Sequence, residues 1–120
     1  MRYVFLIAYE PGRWAEAGEE VRQEYFDAHH AFERFVDEHG RRLGSAALSD
    51  ADLATTIRRD EAGSDVVSDG PFVELTEQIG GYYDVELPDL DAAISAARLL
   101  PRDYTLEIRS VVGVEGYESR

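Results

Sequence analysis

The chain contains neither lysine nor cysteine. The lack of cysteine rules out disulfides and thiolate metal sites and fits a reducing compartment. The lack of lysine leaves arginine as the only permanently cationic side chain: 12 Arg stand against 25 Asp and Glu, for a net charge of −13. Duplex binding runs mainly on phosphate neutralisation by basic side chains, so no nucleic-acid partner is expected. The all-arginine usage has two readings, codon-composition bias or an acidic surface suited to high salt. No apolar run approaches the ~20 residues that cross a bilayer. The N-terminus lacks the charged, apolar and cleavage regions of a leader. The expectation is a cytoplasmic protein with no membrane partner. Metal-ligand spacings, phosphate loops and nucleophile elbows are missing, so no metal and no cofactor are expected, and nothing repeats at solenoid periods.

What is present suffices for one core. With 44% hydrophobic residues, 1–120 reads as a single domain that buries very roughly two-thirds of its unfolded surface. Arg2–Ala8 is apolar on both alternating faces, the pattern of a strand in the middle of a sheet. Glu10–Trp14 is a loop, with Trp14 as its anchor or a pocket rim. Gly18–His39 is a long helix, with Glu19 and Glu20 at the positive end of its dipole and Gly40 as its stop. Its apolar stripe is Val21, Tyr25, Ala28, Phe32, Phe35 and Val36. Leu43–Leu48 is a small-residue strand, and Ala54–Arg59 with Asp65–Ser68 form a hairpin. Tyr82–Leu87 alternates, with Tyr83, Val85 and Leu87 on one side. Asp89 caps a shorter helix with Leu90, Ala93, Ile94 and Ala97 inward, and Pro101 ends it. Thr105–Val112 is the last strand, and Glu115–Arg120 should fray or lie on a partner. The order β-α-β-hairpin-β-α-β is an α+β, ferredoxin-like pattern. Right-handed crossovers put both helices on one face of the sheet. The opposite face is left uncovered although Val4, Leu6 and Ala8 point to it, and a homodimer is the expected remedy.

The stretch from Ser68 to Tyr83 organises the rest. Asp69 bonds its own backbone, Gly70 takes unusual dihedrals and Pro71 fixes φ, so Asp69–Phe72 reads as a tight turn, with Phe72 expected to anchor it in the core. A one-turn segment should follow, and Gly80-Gly81 permit a bulge or a close backbone approach. Asp69-Gly70-Pro71-Phe72, Glu74, Glu77 and Ile79-Gly80-Gly81-Tyr82-Tyr83 together resemble the hallmark of the DGPF branch of the YCII-related family. The resemblance runs from Met1-Arg2-Tyr3 through Pro88-Asp89-Leu90-Asp91 to the last strand. One departure is Thr76, where members commonly carry Lys. The resemblance implies a dimeric α/β barrel, in a family most of whose members have no established activity.

His29 is the leading candidate for acid/base chemistry, because a half-buried imidazole beside a pocket titrates near neutrality. It precedes Gly40 by eleven residues. In the wider YCII group a His at about that spacing is the suspected acid/base residue, and the resemblance implies that role for His29. The partner there is an Asp, for which this chain has no clean match; Glu38 is nearest in line. The competing reading is a histidine packed at the helix edge against a backbone carbonyl. His30 should face water. Asp69, Glu74 and Glu77 form an acidic cluster able to raise one carboxyl or hold a hard cation, or else a solvated face with Asp69 as turn former. Asp69 and Glu74 are the candidate assistants of His29. Tyr25, Phe72, Glu77, Tyr82, Asp84 and Arg109 are the candidate ligand contacts, with Arg109 pairing Glu107 or Glu86 as the alternative. Two functions follow: cofactor-free lyase- or isomerase-like chemistry on a small organic molecule, or a non-catalytic module binding a metabolite or a protein.

Overall fold

Strand β1 (Arg2–Tyr9) buries Tyr3, Phe5 and Ile7 on one side, leaves Val4, Leu6 and Ala8 half-buried on the other, and is paired along both edges. That is the central position its double apolar pattern demands. The structure, a computed structural model, describes residues 1–119. Helices α1 (Arg13–Glu16) and α2 (Glu19–His39) follow, then β2 (Arg41–Ala47), a short 3₁₀ turn at Ala51–Leu53, β3 (Thr55–Arg59) and β4 (Asp65–Asp69). Strand β5 (Gln78–Glu86), helix α3 (Leu90–Ala97) and β6 (Thr105–Ser110) complete the chain. The four-stranded sheet has the order β2-β5-β1-β6 with every neighbour antiparallel. This is an α+β, ferredoxin-like fold.

The core lies on one face of that sheet. Phe32 and Val36 from α2 and Ala93 and Ala96 from α3 pack onto Phe5, Tyr83, Val85 and Leu87. Helix α2 starts after Gly18 in extended conformation and stops at Gly40, whose amide donates to the Val36 carbonyl (2.7 Å). A Cβ on Gly40 would strike the Glu86 backbone, so only glycine lets the helix end against β5. Asp89 caps α3 through its Oδ1, which accepts from the Ala92 amide at 2.9 Å.

Several expectations need correction. Trp14 sits in the four-residue helix α1 rather than in a loop. Strand β5 begins at Gln78, four residues before Tyr82, because Gly80-Gly81 do not break it. The register with β1 slips between Ile7 and Ala8, which pair with Gly81 and Ile79, so Gly80 is the extra residue of a bulge. Its missing side chain makes room for the Tyr9 phenol lying across it. The final strand stops at Ser110, short of Val112. Phe72 is 70% exposed and anchors nothing in the core. The turn lies at the base of the separate β3–β4 sheet, where Gly70 and Pro71 are half-buried and Gly70 bonds Ala54 and Thr56, while the Phe72 side chain faces solvent. No helical turn forms between Glu74 and Glu77. Glu77 is drawn to the start of β6, where both its oxygens accept from the Thr105 hydroxyl at 2.9–3.0 Å. Of the terminal segment, residues 115–119 are exposed and Arg120 lies outside the described residues.

Candidate functional site

Where β1 ends, five rings gather over the edge of α2: Tyr9, Tyr25, His29, Tyr83 and Tyr104. The helix repeat puts Tyr25, His29 and Glu33 on one line beside its buried stripe. Strand alternation turns Tyr83 inward from β5, and Tyr104 precedes β6. The His29 ring is half-buried and hydrogen-bonded at both nitrogens, Nδ1 to the Tyr83 hydroxyl (2.8 Å) and Nε2 to the Tyr104 hydroxyl (2.9 Å). The Tyr83 hydroxyl is also 2.9 Å from Glu33 Oε2. A carboxylate only accepts, so the single Tyr83 proton goes to Glu33 and His29 Nδ1–H donates to Tyr83. The neutral ring then has a bare Nε2, and Tyr104 donates to it. Beyond Glu33, Arg42 lies 3.5 Å away and also grips Asp37 with two nitrogens.

Electrostatics favour the neutral state of this chain of groups. Burial, more than anything else, holds His29 below the ordinary 6.5 of an imidazole; Glu33 opposes the shift and His30 adds to it. Burial likewise pushes the phenols of Tyr83 and Tyr104 upward, Tyr83 further through its bond to Glu33. Tyr25, which donates to Asp103, is pushed up to about 12 by burial and then by that bond. The sign for stability follows from His29. The unfolded chain takes up this proton near 6.5 and the folded chain only at lower pH, so stability falls as pH drops from 6.5 through the folded value. Urea midpoints measured at pH 7.5 and 5.5 should therefore fall more in wild type than in His29→Gln. Equal falls would assign the acid sensitivity to other groups.

Two cavities meet at these rings. One, of about 380 Å³, is walled by Trp14, Tyr25 and Phe26 with Arg13, Asp50 and Asp103 around it. The other, of about 260 Å³, runs over Ser45–Ala47, Gly80, Gly81 and Tyr82. Tyr9, His29, Ala47 and Tyr104 line both. Tyr9 stacks on Tyr104 at 5.5 Å, and Tyr104 meets Tyr25 edge-on at 6.0 Å. Arg13 is tied to Glu10 at 3.0 Å and faces Asp103 at 3.7 Å. The Arg22 guanidinium lies 4.8 Å over Trp14 and bonds its carbonyl, fixing α1 as the outer wall.

Of the residues chosen from sequence, His29 and Tyr25 come together here. Tyr82 borders the second cavity along β5, but alternation with the inward Tyr83 turns its side chain to the face it shares with Leu6. Asp69 and Glu74 do not; they line a separate groove with Pro11, Asp52 and Gln78. Phe72 points to solvent and Glu77 holds Thr105. Asp84 and Arg109 lie on the face of the sheet opposite the helices, Asp84 bound to Arg2 at 2.7 Å and Arg109 3.9 Å from Glu107. Glu38 is exposed; the acid linked to His29 is Glu33, through Tyr83. The backbone-carbonyl contact considered for His29 belongs to His39, whose Nδ1 bonds the Phe35 carbonyl at 2.8 Å. His30 is exposed, as expected. Sequence reasoning missed Tyr9, Tyr83, Tyr104 and Glu33. The i, i+4 spacing of His29 and Glu33 was a readable signal, and the inward alternation of Tyr83 was another. Among the described residues no group of three or more His, Asp or Glu is arranged to hold a metal ion, and no helix is long and apolar enough to cross a membrane.

The family model for the YCII-related domain matches residues 1–112. An uncharacterized protein of Rhizobium meliloti (strain 1021) is similar, 39% identical over 57 residues. That alignment covers 48% of this chain and 46% of the relative, about half the length of each.

Proposed function

Since the chain belongs to the YCII-related domain family, we propose from its site that it binds a small organic molecule beside His29 and performs cofactor-free acid/base chemistry of a lyase or isomerase type. The observation that carries this reading is a neutral imidazole held between two tyrosine hydroxyls in the wall shared by two cavities. A relay of that kind moves a proton without a metal, and its neutral ring is the basic form needed near pH 7. Tyr104 and the Tyr83–Glu33 pair assist His29, in place of Asp69 and Glu74. Within the family, Asp69–Phe72 with Glu74, Glu77 and Ile79–Tyr83 support membership of the DGPF branch, Thr76 being the departure.

A non-catalytic binding module is the second reading. It is favoured by the engagement of both His29 nitrogens, which leaves neither free for a ligand. A metabolite thermal-shift screen on wild type and His29→Ala tests both. Stabilisation by about 1–3 kcal/mol is expected for a ligand at roughly 10–100 times its Kd, and it should vanish in His29→Ala. Turnover of such a ligand supports the enzyme, and binding without turnover supports the module. Stabilisation retained in His29→Ala would move the site elsewhere.

A further inference from the structure

We infer that Tyr104, rather than His29, is the group that meets the ligand, and that it receives a proton from an O–H of a neutral aromatic molecule while passing its own proton back to His29. The inference rests on the reading of the His29 cavity as a small-molecule site. His29 has no free ring nitrogen: Nδ1 is spent on Tyr83 and Nε2 on Tyr104. The Tyr104 hydroxyl makes that one bond among the described residues, as donor, so its oxygen keeps acceptor capacity. Tyr104 lines both cavities, and its ring is fixed by the Tyr9 stack and the Tyr25 edge.

The walls define the ligand. Trp14, Tyr25 and Phe26 offer ring surface, which suits a planar aromatic body. Asp50 and Asp103 disfavour an anion, and Arg13, the cation present, is already held by Glu10 and Asp103. A neutral ring bearing a hydroxyl fits these walls and the free acceptor on Tyr104. In the step, the ligand O–H bond breaks and its proton bonds to the Tyr104 oxygen. The original Tyr104 O–H bond breaks and that proton bonds to Nε2. The result is a ligand oxyanion whose charge is offset across Tyr104 by the new imidazolium, so no uncompensated anion stands beside Asp50 and Asp103, total charge is unchanged and no other reactant is needed. The imidazolium keeps its Nδ1–H bond to Tyr83, which links it to the Glu33 carboxylate.

Phenol and anisole make the test, since they share a ring and only phenol donates. Each is titrated into ¹⁵N-labelled wild type, Tyr104→Phe and Tyr83→Phe while the His29 ring nitrogens are followed by NMR. In wild type, phenol should bind about three- to tenfold more tightly than anisole, the worth of one hydrogen bond. Phenol should also move the Nε2 signal, and its ring protons should show a nuclear Overhauser contact to Tyr104. In Tyr104→Phe both probes should bind alike and leave the His29 signals in place. Tyr83→Phe should keep the phenol preference although its Nδ1 signal shifts. A phenol preference that survives in Tyr104→Phe overturns the inference and leaves the cavity reading standing. Absence of the Tyr104 contact in wild type overturns it whether or not the variant folds, and failure of both probes to perturb any cavity residue overturns both readings.

Discussion

Phe32→Ala should lower the unfolding free energy by about 3–5 kcal/mol, the range for deleting a fully buried phenylalanine. Phe32 is 0% exposed on the inner line of α2, edge-on to Phe5 at 5.2 Å and 4.4 Å from the Tyr83 ring. The floor beneath it is β1 and β5, strands paired on both sides, so the gap cannot close by a shift of loose chain. Against a typical total of about 5–15 kcal/mol, such a loss brings the domain near its threshold. The same ring supports Tyr83, so the His29–Tyr83 bond should weaken and the His29 Nδ1 signal should move. Phe26, 48% exposed on the outer side of the same helix, is the control. Phe26→Ala should cost less than about 1 kcal/mol in urea unfolding. A Phe32→Ala loss as small as the control's would show that α2 does not anchor the core.

That contrast between Phe32 and Phe26 was legible in the sequence, because a 3.6-residue period separates the two sides of a helix without knowledge of anything else. The two-sided apolar pattern of β1, Gly18 and Gly40 at the ends of α2, and the Asp89 cap are local signals of the same kind, and the structure keeps each of them. His29 was found the same way, at the edge of the stripe. Other features depended on what arrives from far along the chain. Tyr104 reaches His29 across 75 residues with no periodicity to announce its hydroxyl, and alternation turned Tyr83 inward without saying that it would meet a histidine 54 residues away. On α3 the reading holds for the buried Ala93 and the half-buried Ile94 and Ala97, but Leu90 is 52% exposed and the buried Ala96 was missed, because a short helix of small residues gives its inner face little apolar contrast. Gly80-Gly81 read as a bulge or a close backbone approach, and only pairing with β1 and β2 shows a bulge within a continuous strand. Phe72 shows the opposite error: an apolar residue after a turn was assumed to face inward, but it lies in the irregular segment between β4 and β5 and is 70% exposed.

Leu6→Glu should convert a dimer into a monomer. The chain has an accessible surface of 8891 Å², whereas a compact monomer of 13.5 kDa exposes about 6,500 Å². Its radius of gyration is 16.9 Å, against about 14 Å for a compact domain of this length. The excess has two sources. The β3–β4 arm carries Ile57, Val66 and Val67 into solvent. The sheet face opposite the helices presents Val4, Leu6 and Ala8 in a row, with Tyr82 beside Leu6 on β5 and the Arg2–Asp84 pair at the margin. Among the described residues no helix lies over that face, so a second copy packed face to face is the proposed cover. Leu6 sits mid-row, between Tyr82 and Glu107, and its substitution leaves the core face untouched. In a two-fold interface each change appears twice, and an unpaired buried carboxylate costs several kcal/mol. Dimer affinity should therefore fall by at least about 1,000-fold, at tenfold per 1.4 kcal/mol. Light scattering at micromolar concentration should give the dimer mass for wild type and the monomer mass for Leu6→Glu, with unchanged circular dichroism. A wild-type monomer, or a variant that stays dimeric, would leave this face without a partner and require another explanation for its apolar row.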